Sequence, residues 1–140
     1  MRRWIALKRP RLPRVHAVHK KIARALVENR LTHFNAYYGH TYARISIRNQ
    51  KTRWGSCSTK GTLSFNVRLI FLPPHLIDYI VIHELCHLAQ MNHSPLFWSL
   101  LVRTCPQYRN CREELRHISL RRTREDDSEH FFATLKSPHL

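Results

Sequence analysis

Hydrophobic spacing at the start of the chain predicts one long helix. From about Val15 to Tyr38, apolar residues recur at the spacing of one helix face, and most of the lysines and arginines fall off that face. Gly39 follows and supplies a C-terminal stop, because glycine readily adopts the left-handed conformation that ends helices. The members of the predicted apolar stripe are Val18, Ile22, Ala25, Leu26, Leu31, Phe34 and Tyr38.

A small sheet is predicted after this helix. Ile45 and Ile47 alternate with polar residues over 43–48, which is typical of a half-buried strand. Two more strands are predicted over 53–58 and 62–66, on either side of a short loop that contains glycine and suits a hairpin. We therefore expect three strands, the last two of which form an antiparallel hairpin.

Helices are predicted again in the second half of the chain. Apolar residues at helical spacing predict a helix that begins at Pro73 or Pro74 and ends near Met91–Asn92, where asparagine can take the left-handed conformation. Ser94 and Pro95 resemble an N-cap and a first-turn proline, so a further helix is expected to open there. A last helix is predicted over 108–120.

A run of histidines within the central helix indicates a hydrolytic metal site. His83 and His87 are four residues apart, so on a helix both imidazoles lie on one face, where a single zinc ion can bind both. Glu84 is turned about 100° from His83, which places its carboxylate as a general base and not as a ligand. His93 can return as the third ligand if the helix breaks before it. Three protein ligands leave a fourth position open, as in catalytic zinc sites.

Composition and charge bound the other interpretations. The 140 residues suffice for one domain, and the net charge is +15. The first 24 residues contain nine lysines and arginines and no acidic residue, a distribution that attracts polyanions such as nucleic acid. We expect residues 1–11 to form a basic arm, 12–120 to form the domain, and 121–140 to form a flexible tail of mixed charge.

The four cysteines are too few and too scattered for a disulfide framework. Cys86 is expected in the core, because it points away from the histidine face. Cys105 and Cys111 are either half of a second zinc site or two ordinary buried thiols, and the absence of a second pair in the sequence favours the thiols. No segment suits a signal peptide or a membrane span, so a cytoplasmic protein is expected.

Several blocks of sequence, in order, resemble the YgjP-like metallopeptidase domain, which is related to SprT-like proteins and other small zincins. The resemblance covers roughly residues 40 to 120. The blocks are 51–58 (KTRWGSCS), 63–66 (LSFN) with Leu69, Pro73, Asp78-Tyr79 leading into 83–87 (HELCH), Asn92-His93-Ser94 and Phe97-Trp98.

This resemblance implies a compact α+β, zincin-like fold: a leading helix, a small antiparallel sheet, the metal helix and supporting C-terminal helices. It also implies one zinc ion per chain, bound by His83, His87 and His93, with Glu84 as the catalytic acid and base. Arg53 and Asn66 are candidates for binding the substrate, although in the same block Trp54 suits a core position and Gly55 a bulge.

Departures from related families limit what can be transferred. The turn glycine of the metzincins is replaced by Gln90, and no methionine turn follows. The cysteine-rich zinc ribbon that many SprT proteins carry is also missing from the sequence, so a role in DNA repair is not inherited.

The sequence therefore predicts a zinc-dependent metallopeptidase, a monomer that cleaves polypeptides with activated water. Two alternatives remain open. The first is a metal-dependent hydrolase of nucleotides or phosphoesters, which the basic charge favours and the lack of a carboxylate-bridged second metal disfavours. The second is a nucleic-acid-associated module with a structural zinc, which would have no need of Glu84.

Overall fold

A computed structural model describes residues 12–118 and residue 120, and there the chain forms an α+β fold. The predicted arm and tail, residues 1–11 and 121–140, lie outside the described residues. Within the described part, no helix is both long and apolar enough to cross a bilayer. The elements are α1 (Ala17–Tyr38), β1 (Arg44–Arg48), β2 (Gly55–Cys57), β3 (Thr62–Asn66), a 3-10 helix (Val67–Phe71), α2 (Pro74–His87), α3 (Pro95–Leu101) and α4 (Tyr108–Arg116).

Helix α1 ends as predicted, but its buried face differs from the predicted one. The φ angle of Gly39 is 67°, and its N–H donates to the Asn35 carbonyl at 2.7 Å. The predicted stripe is wrong in part, since Val18 and Ile22 are 57% and 49% exposed. The reason is that α1 meets the 3-10 helix, α2 and β1 along a narrow row of residues spaced four apart. The fully buried members of this row are Ala23, Val27 and Leu31.

The sheet is mixed, and the prediction of three antiparallel strands is wrong for β1. Its strand order is β1-β3-β2. β2 and β3 form the predicted antiparallel hairpin, with Gly61 at a φ angle of 85° in the loop. β1 instead pairs in parallel with β3, so that Arg44 lies opposite Thr62. The strands β1 and β2 are consecutive in sequence but lie on opposite edges, because the connection between them crosses the end of β3.

Asn66, at the end of β3, holds that crossing connection in place. Its side chain is 1% exposed, and its amide nitrogen donates to the carbonyls of Gln50 at 2.6 Å and Arg53 at 2.9 Å. Its side-chain oxygen accepts from the N–H of Arg68 at 3.0 Å, which caps the 3-10 helix. One buried amide therefore fixes both the crossing segment and the chain that leaves the sheet.

Helix α2 occupies the centre of the core and is buried on almost every side. It begins at Pro74, one of the two predicted positions, but ends at His87 and not at Met91–Asn92. The Leu88 N–H donates to the Leu85 carbonyl at 3.1 Å, a tighter turn that closes the helix. Asn92 does not take the predicted left-handed conformation, since no described residue other than glycine has a positive φ angle.

The C-terminal helices support α2 as predicted. Ser94 caps α3, with its hydroxyl oxygen accepting from the Phe97 N–H at 3.4 Å, and Pro95 takes the first helical position. α4 begins at Tyr108 as predicted and ends at Arg116, four residues before the predicted end. Both helices bury apolar side chains against α2.

An ion pair joins the leading helix to the central one. The Arg30 guanidinium donates to both carboxylate oxygens of Asp78, at 2.6 and 3.0 Å, with each side chain about a quarter exposed. This two-bond geometry fixes the position of α1 against the first half of α2.

The cysteines are free thiols. Cys86 is fully buried, which confirms its predicted place in the core, and Cys111 is buried as well. Cys105 is only partly buried. Among the described residues, no histidine, cysteine or carboxylate joins Cys105 and Cys111 in a group of three that could hold a metal.

Candidate metal centre

Three histidines converge at the end of α2. His83 and His87 lie one turn apart on the helix and are 2% and 1% exposed. His93 lies in the turn between α2 and α3, and its Nε2 atom is 3.1 Å from the Nε2 atoms of both other rings. The early end of α2 makes this possible, because the chain can reverse between His87 and His93.

The spacing of these nitrogens fits one zinc ion. Two nitrogens bound at about 2.0–2.1 Å to a tetrahedral ion lie roughly 3.3–3.4 Å apart. Ligand atoms of His83, His87 and His93 all lie within 4.8 Å of one another, and these residues are the one group of this kind in the described part of the chain. Imidazole nitrogens suit zinc, and three of them leave a coordination position open.

The two helix histidines present the correct nitrogen. The Nδ1 atom of His83 lies 3.1 Å from Oε1 of Glu84, and the Nδ1 atom of His87 lies 3.0 Å from the Gln90 carbonyl oxygen. Because both partners are acceptors, we assign the ring proton to Nδ1 in each case. The lone pair of Nε2 then faces the shared centre, as a metal ligand requires.

Burial keeps both rings neutral. It lowers the pKa of His83 well below its usual value, and the neighbouring His93 and Arg112 act in the same direction. It also lowers the pKa of His87 to about 4, with a further contribution from His83. Neutral imidazoles bind metal ions without first losing a proton, so both rings are ready to act as ligands near neutral pH.

Glu84 lies beside the histidines but is not a member of this group of potential metal ligands. Its side chain is almost completely buried, and burial raises its pKa to about 8, although electrostatic interactions with His87 and Arg53 act to lower this pKa. Oε1 contacts His83, whereas Oε2 is buried and has no hydrogen-bond partner among the described residues. A buried carboxylate oxygen of this kind can receive a proton from a molecule that enters the site.

Gly55 in β2 makes room for Glu84. A Cβ atom at this position would lie 3.1 Å from Cγ and 3.2 Å from Oε1 of Glu84, and 3.2 Å from the Ser64 carbonyl oxygen. The sequence suggested a bulge here, but the residue lies within a regular strand and is glycine because of the close approach. Trp54, the residue before it, is 2% exposed and belongs to the core, which is the position that its sequence context suits.

Two aromatic residues of α3 enclose the histidines, and neither was predicted from the sequence to have a role in the centre. The ring of Phe97 lies 4.5–5.0 Å, centroid to centroid, from the rings of His83, His87 and His93. Trp98 lies nearly parallel to His93 at 5.6 Å. The available signal was their position directly after the predicted cap at Ser94. Because His93 immediately precedes this cap, residues in the first turn of α3 must lie on the side of the helix that faces the candidate metal centre.

The other residues singled out from the sequence lie at different distances from the centre. Asn66, at the end of β3, is buried with its amide engaged by backbone groups, and Arg53 precedes β2, where its charge acts on Glu84. Tyr79 is buried one turn before His83, with ring centroids 5.9 Å apart.

Comparisons with known proteins show two similarities to metallopeptidases. The model of the YgjP-like metallopeptidase domain family matches residues 8–118, so the match includes α1 as well as the predicted 40–120. The structure is similar to the crystal structure of the metallopeptidase zymogen of Pyrococcus abyssi abylysin, with 27% identity and a TM-score of 0.59. The similarity covers 64% of this chain and 90% of that one. Among curated proteins, none matches the sequence significantly.

The close approach of Gly55 to Glu84 predicts an energetic coupling between them. Gly55→Ala should lower the free energy of unfolding by about 1–3 kcal/mol, because the added methyl group overpacks a fixed site. In a Glu84→Ala background the destabilisation should be smaller, since two of the three crowded atoms are removed. Urea unfolding of the single and double variants measures the difference.

Gly39→Ala is the matched control for this cycle. It strains a left-handed residue with nothing within 4 Å of the added atom, so its cost should be the same with and without Glu84. Equal destabilisation by Gly55→Ala in both backgrounds would mean that Glu84 does not set the space at this position.

Proposed function

The chain belongs to the YgjP-like metallopeptidase family, and from this we propose that it is a zinc-dependent peptidase whose ion is held by His83, His87 and His93. The observation that carries the proposal is the approach of three imidazole Nε2 atoms to one point beside a buried carboxylate. When bound there, zinc supplies Lewis-acid chemistry, which acidifies water and polarises a carbonyl group.

Glu84 is the proposed general base and acid. Its free Oε2 atom would take a proton from the attacking water and return it to the departing amine. Burial keeps the pKa of this carboxyl near neutrality, which suits a group that must both accept and release a proton. A bound cation would lower this pKa, and Arg53 already acts in that direction.

The outer edge of β2 is the proposed place for the polypeptide. β2 is an edge strand, and its Gly55 contacts Glu84, so a peptide added along this edge would pass directly beside the proposed base. Strand addition recognises the backbone of an extended peptide and tolerates many side chains. This favours an unfolded or extended polypeptide as the substrate.

Arg53 and Asn66 are proposed to act together at the start of this edge. Arg53 lies just before β2, and its position suits contact with a carbonyl of the bound peptide. Asn66 would act indirectly, because its amide holds the Arg53 carbonyl and faces the backbone.

Phosphoester hydrolysis is the alternative reaction at the same site. It commonly uses two metal ions bridged by carboxylates. Within residues 12–118 the three histidines form the one candidate cluster, and it contains no carboxylate. This donor set supports peptide hydrolysis over phosphoryl chemistry.

For the proposed function, the first prediction is one zinc ion per chain. His93→Ala should lower the bound zinc to well below one equivalent and abolish the thermal stabilisation that zinc gives the wild type, because binding to the folded state adds to its stability. Elemental analysis after gel filtration and thermal unfolding with and without a chelator measure both. His33→Ala, an exposed histidine on α1, is the control. Full zinc occupancy in His93→Ala would remove this residue from the ligand set.

The second prediction separates catalysis from metal binding. Glu84→Gln should retain zinc and the fold while its hydrolytic rate falls by about 10²–10⁴-fold, because it removes a base and not a ligand. The assay compares an unfolded protein, short peptides, nucleotides and phosphodiesters, with Glu114→Gln as an exposed control. Undiminished turnover in Glu84→Gln would eliminate the proposed base. Cleavage of phosphoesters alone would favour the alternative reaction.

We also propose that the basic surface makes weak, sequence-independent contact with nucleic acid. A cleft of about 580 Å³ between the start of α1 and the edge of β1 is lined by His16, Lys20 and Arg48 and by no acidic residue. Lys21 is exposed on the same half of α1. A phosphate backbone is the common polyanion that such a surface attracts.

The third prediction concerns the salt dependence of this binding. Removal of residues 1–11, and separately Lys20→Gln with Lys21→Gln, should weaken binding to duplex DNA and flatten the salt slope by roughly 0.9 for each phosphate that the variant no longer neutralises. Fluorescence anisotropy at several salt concentrations measures the slope. Lys60→Gln with Arg103→Gln removes two exposed charges elsewhere and should have little effect. Absence of binding by the wild type at low salt would end the nucleic-acid proposal.

A further inference from the structure

His93 differs from the other two histidines in how it is held. His83 and His87 belong to a buried helix, so backbone and burial fix their rings. His93 lies in the turn between two helices and is only partly buried. The side chains that pack against its ring therefore contribute to the direction of its Nε2 atom.

Trp98 is the side chain that lies flat against this ring. The two ring planes are 28° apart, with centroids separated by 5.6 Å. Phe97, by contrast, meets His93 edge-on at 71°. A near-parallel neighbour restricts rotation of the imidazole about its own bond to Cβ, and this rotation decides whether Nε2 faces the other two nitrogens.

Trp98 is itself fixed by α4. The ring of Tyr108 lies 5.0 Å from it at an interplanar angle of 22°, and the Arg112 guanidinium carbon is 4.8 Å from its centroid. Tyr108 and Arg112 are four residues apart on α4, so they project from one face of that helix. An aromatic stack and a cation–π contact from the same helix thus converge on one indole ring.

We propose that Trp98 is a positioning residue for the third metal ligand and that α4 acts on the metal centre through it. This inference rests on the proposed zinc site. The contacts run from Tyr108 and Arg112 to Trp98, and from Trp98 to His93, whose Nε2 atom completes the donor set. α4 contributes no ligand to the proposed site, but through Trp98 it determines the orientation of the His93 ring.

The test compares zinc affinity in variants of this stack. Trp98→Leu should raise the zinc dissociation constant by about 10–100-fold, the usual effect of removing a group that orients a ligand. Trp98→Phe should restore most of the affinity, because it keeps a flat ring at the same place. Tyr108→Leu should give a smaller decrease in affinity. Competition with a chromogenic chelator measures the constants, and Leu96→Ala, an exposed residue of α3, is the control.

A second measurement separates a change in the orientation of the His93 ring from a general loss of protein stability. In protein loaded with Co²⁺, the visible d–d absorption reports the geometry around the ion. Trp98→Leu should change this spectrum at full cobalt occupancy, whereas Leu96→Ala should not. Thermal unfolding of the metal-free variants shows whether each remains folded at the temperature of the assay.

The outcomes distinguish this inference from the proposal on which it rests. Wild type that binds neither zinc nor cobalt would overturn the zinc site itself. Tight binding by wild type, with unchanged affinity and cobalt spectrum in folded Trp98→Leu, would overturn the role of Trp98 alone. Equally weakened binding in Trp98→Phe and Trp98→Leu would show that the flat ring is not what holds His93.

Discussion

The structure depends on burying a polar motif inside an otherwise apolar helix. His83, Glu84 and His87 are each 1–2% exposed, and buried polar groups are costly unless the fold supplies partners. Glu84 supplies a partner for the Nδ1 atom of His83 and the Gln90 carbonyl one for that of His87, while the Nε2 atoms of both rings face Nε2 of His93 across the candidate metal centre. The early end of α2, the turn that follows it and the position of α3 all serve these contacts.

Features encoded by neighbouring residues could be predicted from the sequence. The histidine spacing and the unbroken apolar pattern predict the helix and the face on which the rings meet. Ser94 and Pro95 act through local hydrogen bonding and a fixed backbone angle, so the start of α3 could be predicted. The return of His93 to the centre followed from that prediction. Gly39 and Gly61 both have the positive φ angles that their sequence context suggested.

Features that depend on spatial neighbours could not be predicted. Alternation along β1 shows that one side is half-buried but carries no information about which strand lies beside it, so its parallel pairing was missed. The row of α1 that is buried depends on where the 3-10 helix and α2 lie. The need for glycine at Gly55 arises from a side chain far away in sequence, and the role of Trp98 depends on α4. Each of these is a property of the packing between elements and not of a single element.

The crossed strand order also affects how the domain assembles. The β2–β3 hairpin closes a short loop, whereas the pairing of β1 with β3 requires the chain to pass across the end of the sheet, where Asn66 holds it. Loop-closure entropy and non-local parallel pairing both slow such a step. The hairpin beside Glu84 should therefore form first, and β1 should dock late. The slowest step of folding is then expected at a strand that carries none of the candidate metal ligands.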